Sequence, residues 1–286
     1  MAPDHQRPIH IRAMRPDELG MGIRWAADEG WNPGLHDAAS FHCADPQGFL
    51  LAERDGEAIG MVSAVRYGAN FGFIGFYIVR PVHRGRGHGL ALWQAAMERL
   101  SGRLIGLDGL VAQQANYRKS GFVLAYNNMR MQGLARPMGP AHPGIVALEA
   151  VELQHVLRYD TELFPGERTR FITQWIRQTG SIALGFIQGG ELSGYGVIRP
   201  CQVGYKFGPL FANDADIAHH LLNALTSHVP TGAQIQLDIA AGHDAARALA
   251  AQWQLQPVFE TARMYTGAAP ALDLQRQFGI TTFELG

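Results

Sequence analysis

The segment Arg80-Pro81-Val82-His83-Arg84-Gly85-Arg86-Gly87-His88-Gly89 joins the strongly apolar run 71–79 to a stretch of helical periodicity. Three glycines at alternate positions let the backbone approach a ligand closely and turn its N–H groups inward. The helix N-terminus behind them carries about half a unit of positive charge. Those are the requirements of a diphosphate cradle. Arg84 and Arg86 add full charges, and each guanidinium can pair with phosphate oxygens through two hydrogen bonds. Glycine is abundant in the chain, 34 of 286 residues, or about 12% against a usual ~7%. Its concentration here marks a site rather than loops in general.

Elements on either side place the segment. Residues 48–53 and 58–66 read as strands joined by the turn Arg54-Asp55-Gly56-Glu57, a hairpin signal. Phe71 to Val79 reads as a third strand, dense in aromatic and β-branched residues. From Gly89 to Leu100, the residues Leu90, Trp93, Met97 and Leu100 fall on one face of a helix. A helix over 14–29, a strand over 103–107, a polar helix through Lys119 and a strand from Phe122 complete an α/β unit with a mixed sheet. Three ligand classes compete for the loop. A dinucleotide fingerprint would need a glycine where Leu90 stands and a strand ending next to Gly85, although Asp108, nineteen residues beyond Gly89, keeps that reading open. A triphosphate loop lacks its closing Gly-Lys-Ser/Thr. An arginine-glycine tract for RNA is too short and sits in a chain of net charge −1.

Arg84-x-x-Gly87-x-Gly89 resembles the Arg/Gln-x-x-Gly-x-Gly/Ala signature of the GNAT superfamily of N-acetyltransferases. The run Tyr77-Ile78-Val79-Arg80-Pro81-Val82-His83 is similar to the strand and loop that lead into it, and Asn116-Tyr117-Arg118-Lys119-Ser120-Gly121-Phe122 to the closing Tyr-x-Lys-x-Gly-Phe motif. The resemblance covers residues 10–133 and implies acetyl-coenzyme A as cosubstrate, with no metal. It assigns the coenzyme to Tyr77, Ile78, Val79, Arg84, Gly85, Arg86, Gly87, His88, Gly89, Asn116 and Lys119. Backbone N–H groups of 76–79 would face the thioester carbonyl and the pantetheine. Tyr117 would protonate the departing sulfur, a phenol of pKa about 10 being close to a thiol; the plainer alternative is a half-buried packing residue. Leu110 stands where many family members carry an asparagine, which weakens the expected contacts to the pantetheine arm. Glu29, His42 and Asp108 are candidates for the general base, with Glu29 slightly preferred; a water relay would remove the need for one. Trp31 and Asn32 are candidates for acceptor binding, or else a turn anchored by a tryptophan.

The chain also resembles itself. Gly56-Glu57-Ala58-Ile59-Gly60 has a counterpart in Gly190-Glu191-Leu192-Ser193-Gly194, and the same offset of 134 carries Phe71 to Tyr205, Phe73 to Phe207 and Gly133 to Gly267. The expectation is an α/β protein of two GNAT-like domains, each a mixed, mostly antiparallel sheet flanked by helices. The first spans residues 1–134; a Pro/Gly-rich linker, 135–144, and a degenerate copy with a C-terminal tail, 145–286, follow. The tail end 278–285 has strand-like composition. At an offset of 134, Arg84 maps to Ala218, Gly87 to Leu221, Gly89 to Asn223, Tyr117 to Ala251 and Gly121 to Leu255, so every chemical element is missing. The second copy is expected to shape the acceptor site, with Tyr205, Lys206, Asp238 and Arg263 as polar contacts.

Composition excludes other classes. The 24 basic and 25 acidic residues nearly cancel, and only 17% of residues are charged, which argues against a general grip on nucleic acid or anionic membrane. The longest strongly apolar run is less than half of the ~20 residues that span a bilayer. The polar start Met1-Ala2-Pro3-Asp4-His5-Gln6-Arg7 lacks the features of a secretory signal, and Cys43 and Cys201 make no disulfide framework, so a cytoplasmic protein is expected. Twelve histidines show no metal-ligand spacing. The expected reaction is acetyl transfer to a primary amine of a small molecule or peptide, by direct attack. A sensor that binds the coenzyme without turnover is the alternative.

Overall fold

The computed structural model describes residues 9–136 and 138–286; the polar segment 1–7 and Pro137 of the linker lie outside it. The first half runs β1 (His10–Ala13), α1 (Leu19–Asp28), α2 (Asp37–Ala44), β2 (Phe49–Arg54), β3 (Glu57–Tyr67), β4 (Phe71–Val79), α3 (His88–Arg99), β5 (Leu104–Leu110), α4 (Gln114–Arg118) and β6 (Val123–Leu134). The second half repeats the order. It comprises β7 (Ile145–Ala147), α5 (Leu153–Thr161), α6 (Thr169–Trp175), β8 (Ile182–Gln188), β9 (Glu191–Pro200), β10 (Tyr205–Ala212), α7 (Ala215–Thr226), β11 (Gln234–Ala240), α8 (Asp244–Gln252) and β12 (Gln256–Tyr265). A tail strand, β13 (Gln277–Gly279), follows. The helix expected over 14–29 begins only at Leu19, because the Met14 amide donates to Phe49 O and Pro16 opens a 3-10 turn.

Two sheets were expected; the structure has one. Its order is β1-β2-β3-β4-β5-β12-β6-β11-β10-β9-β8-β7, so each half donates its last strand to the other. All neighbours are antiparallel except β4 with β5 and β10 with β11. Asn128 of β6 lies opposite Thr261 of β12, Asp108 of β5 opposite Arg263 of β12, and Asp238 of β11 opposite Arg130 of β6. The two Asp–Arg couples are related by a pseudo-twofold axis through the β6–β12 pair, as in an isologous dimer made within one chain. Helices α3 and α4 cover one face of the first half, with Leu92, Trp93 and Ala96 packed against β3 and β5. Helices α7 and α8 do the same for the second half. On the opposite face α1, α2, α5 and α6 share a single core in which Phe41 stacks on Trp175 at 5.9 Å. Strand exchange and this common core make the halves one body. Among the described residues no helix is long and apolar enough to cross a membrane.

The structure also corrects the internal alignment. The hairpin turns at Gly56 and Gly190 are 134 apart, but α3 and α7 start 127 apart. Eight residues, 80–87, connect β4 to α3, whereas two, Asn213 and Asp214, connect β10 to α7. The second half has not mutated the glycine loop; it has none. Likewise the fourth residue of α8, at the place of Tyr117 in α4, is Arg247 rather than Ala251.

Candidate active site

Strands β4 and β5 are paired only from Phe71↔Leu104 to Ile74↔Leu107. Beyond that point the β3–β4 register shifts between Met61 and Ser63, and Phe76 takes φ 45°, so β4 bends away and residues 75–79 pair with β3 alone. The divergence opens a wedge. Its inner end is a cavity of ≈ 80 Å³ beneath Gly75, Phe76 and Tyr77, and its outer part is a cleft of ≈ 720 Å³. Trp31, Tyr77, Trp93, Leu110, Tyr117 and Phe259 line both.

The glycine loop closes the outer cleft. Gly85 and Gly87 adopt φ 74° and 83°, conformations that glycine adopts without strain. A Cβ on either would meet nothing within 4 Å, and no side chain caps α3, so its first N–H groups face open space. Gly89 has a different reason: a Cβ there would sit 2.7 Å from the Tyr77 hydroxyl, so glycine lets α3 lie against β4. Arg84 bonds Val79 O at 2.8 Å and pairs with Glu29 across the cleft. The far wall carries Asn116 and Lys119, linked at 3.2 Å. His88 lies at the helix start, its pKa pulled down by burial and by Arg54, His83 and Arg86. An uncapped helix end, open space over two glycines and flanking cations together fit the diphosphate of a coenzyme A.

Tyr117 stands where the two cavities meet. Its ring packs on Trp93 at 5.5 Å and on Phe122 at 6.5 Å, and Ser120 Oγ holds the indole N–H of Trp93 at 2.9 Å. Gly109 is what admits it, since a Cβ there would fall 2.2 Å from the ring. Burial pushes the Tyr117 pKa up to about 12, so the phenol keeps its proton throughout the neutral range.

The other expected residues separate. Glu29 lines the outer cleft but is committed to Arg84. Asp108 lines the inner cavity, yet it is fully buried and bonded by Arg263 at 2.6 and 2.8 Å and by Asn128 at 2.8 Å. Its charge is paired with Arg263 and both oxygens accept hydrogen bonds, so it holds the exchanged strand rather than standing ready as a base. Asp238 is held in the same way by Arg130 at 2.7 and 2.8 Å. His42, on α2, lines neither cavity. Trp31 does, but Asn32 is turned away: its amide bridges Val203 and Gln236, tying the first half to the second. Lys206 is buried against the carbonyls of Trp31 and Asn32, with its pKa drawn down by burial and by Arg130, and Tyr205 faces neither cavity. Asn32 and Lys206 therefore fasten the halves together, and Tyr205 packs against the core of the second half, so none of the three stands at the acceptor end of the wedge as expected. In their place the second half contributes Phe259 and Thr261 from β12, and the tail Phe283 and Glu284. The strand-like composition of the tail was the one signal that it is buried, and β13 does join β10.

Comparison with known proteins agrees with this geometry. Residues 17–122 match the acetyltransferase (GNAT) family and residues 156–279 an acetyltransferase (GNAT) domain. A holothin acyltransferase from Pseudoalteromonas sp. (strain SANK 73390) is 30% identical over 262 residues, 92% of this chain and 89% of that protein. A Pyrococcus horikoshii structure described as a candidate acetyltransferase superposes with a TM-score of 0.82 at 22% identity, covering 97% of this chain and 96% of that one. A tandem GNAT protein from the clavulanic acid biosynthesis pathway gives 0.63 at 15% identity, covering 92% and 100%. One GNAT match in each half agrees with the repeated element order, and the chain belongs to the GNAT family as a two-copy acyltransferase.

Proposed function

We propose that the chain transfers an acetyl group from acetyl-coenzyme A to a primary amine by direct attack, using the first-half wedge alone. The observation that carries this reading is the meeting of an uncapped α3 N-terminus, an outer cleft of ≈ 720 Å³ and a protonated Tyr117 along one continuous wall. Acetyl-coenzyme A supplies an activated acyl group as a thioester. Gly85, Gly87, His88 and Gly89 would hold its diphosphate through backbone N–H groups, with Arg84, Arg86 and Lys119 supplying charge. The bend at Phe76 frees backbone donors of β4 toward the wedge, where they meet the charge that grows on the carbonyl oxygen. Tyr117 gives its proton to the departing sulfur. The holothin acyltransferase relative, aligned over 92% of this chain, supports turnover over mere binding.

Two measurements test the reading. Calorimetry should find one acetyl-coenzyme A per chain, and a thiol-release assay over a panel of amines should detect turnover. Tight binding with no thiol released from any amine would convert the reading into that of a coenzyme sensor.

A further inference from the structure

We infer that the acceptor is a flat aromatic monoamine without a carboxylate, and that Glu284, brought in by the C-terminal segment, binds its nitrogen and takes its proton; this rests on the acyl-transfer reading above. Among the described residues, Asp108, Arg130 and Glu284 are the charged groups that line the inner cavity. Asp108 is consumed by Arg263 and Asn128. Arg130 is consumed as well: Nε and Nη2 bind Asp238, and Nη1 binds the Trp31 carbonyl at 2.8 Å. The Glu284 carboxylate takes no hydrogen bond from a described residue, and its oxygens are not among the sealed, partnerless atoms, so it keeps contact with open space.

Its position is built. The Thr282 hydroxyl accepts the amides of Glu284 and Leu285 at 3.0 Å each, and the Tyr67 hydroxyl donates to Leu285 O at 3.0 Å. The Glu284 carbonyl lies so close to Gly75 that a Cβ there would approach it to 2.0 Å. Glycine at 75 thus lets the tail run directly under the bend of β4, beside the place the thioester carbonyl takes. Arg130, Arg199 and Lys206 lie within electrostatic reach of Glu284 without pairing with it.

The junction of the cavity with the outer cleft describes the body of the amine. There Trp31 and Phe259 present aromatic surface suited to a planar ring, with Phe283 further in. Arg130 is the one cation lining this cavity among the described residues, and its charge is already paired with that of Asp238, so an acceptor carboxylate would be buried without a cation of its own. In the step itself the amine nitrogen bonds to the thioester carbonyl carbon and its proton passes to Glu284. The C–S bond breaks with its electron pair on sulfur, which takes the Tyr117 proton. Tyr117 then regains the proton that Glu284 releases, leaving an amide and a free thiol.

The test uses the full chain with saturating acetyl-coenzyme A and measures kcat/KM by thiol release. Tryptamine, 2-phenylethylamine and aniline should exceed tryptophan, phenylalanine and spermidine by at least ~100-fold. Glu284→Gln should lower kcat/KM for the best amine by about 100-fold or more, Glu284→Asp should recover part of it, and neither should alter the calorimetric Kd for acetyl-coenzyme A. Preference for carboxylated or polycationic amines, or a Glu284→Gln enzyme within threefold of wild type, overturns the inference. If wild type binds acetyl-coenzyme A but acetylates nothing, the transferase reading fails on its own account. Thermal shift by tryptamine then decides: stabilisation lost in Glu284→Gln supports Glu284 as the amine's partner, and stabilisation unchanged or absent in wild type refutes it.

Discussion

The two halves build the same wedge and use it in opposite ways. In the first, β4 parts from β5 after Ile74 and the gap stays open. In the second, β10 parts from β11 after Phe207, and the tail enters the gap: β13 pairs with β10, and the Ile280 amide donates to Asp238 O of β11. Gly75 and Gly208, at equivalent points of the two wedges, each lie against a tail carbonyl, that of Glu284 and that of Thr281 respectively. The helix ends differ to match. The N-terminus of α3 has no side-chain cap, whereas Asp214 bonds the Ile217 amide at 2.9 Å and closes that of α7. A carboxylate cap, a two-residue connection and an inserted strand set the second wedge apart from the first, and the tail that fills it carries Phe283 and Glu284 to the inner cavity of the other.

The largest effect is expected where the halves are still symmetric. Arg263→Ala leaves Asp108 buried without its partner, and Arg130→Ala does the same to Asp238, at a cost of about 3–5 kcal/mol each. Urea denaturation should show similar losses for the twins, enough to threaten folding of a protein with a typical ~5–15 kcal/mol of stability. Losses differing by more than about 2 kcal/mol would break the equivalence of the two couples. Next in size is Tyr117→Phe, which should reduce kcat by at least ~100-fold with the Kd for the coenzyme unchanged. Because the Tyr117 pKa is raised to about 12, its proton is lost only as pH climbs toward that value; below it the donor stays loaded. No alkaline fall in turnover should therefore arise from Tyr117 between pH 8 and 10 on the scale set by an ordinary phenol pKa of about 10. An alkaline limb that disappears in the phenylalanine variant would show the burial argument to be mistaken.

A smaller effect tests the silent half. Asp214→Ala removes a cap worth about 1 kcal/mol, and the thermal midpoint should fall by a few degrees, roughly 2–4 °C for a chain of this size. Coenzyme stoichiometry by calorimetry should stay at one per chain. Uncapping α7 restores neither the loop nor the space that β13 fills. A second binding event in this variant would mean that the cap alone had closed the site.

The open wedge was legible because it is written locally: β4, the glycine loop and α3 are contiguous, and their φ requirements and periodicity show in the residues themselves. The closed wedge was not. An offset measured at the hairpins cannot register the six-residue difference between the loop 80–87 and the pair Asn213-Asp214. Strand exchange was equally hidden, since β6 and β12 satisfy the same pattern whichever β5 or β11 they join, and the partner is chosen by Asp108–Arg263 and Asp238–Arg130 across distant sequence. Helix α2 carries one large apolar anchor, Phe41, which is too little for a periodic signal. Glu284 is one of 25 acidic residues, and only the path of the tail under Gly75 distinguishes it.

The smallest expected effect separates Glu29 from the chemistry. Glu29 and Arg84 pair across the mouth of the open cleft with side chains 28% and 49% exposed, so water screens them and the pair is worth no more than about 1 kcal/mol. A diphosphate entering the loop must draw Arg84 from that partner, and this cost is charged against binding. Glu29→Ala removes the competitor. Its Kd for acetyl-coenzyme A should fall, by at most ~5-fold for a ~1 kcal/mol pair, while kcat stays near wild type. The alternative role predicts the reverse: loss of a general base lowers kcat by ~100-fold or more and leaves the Kd alone. The two outcomes lie on different axes of one experiment. A variant that binds more tightly and turns over normally makes Glu29 a gate on the coenzyme, and leaves proton removal to the inner cavity.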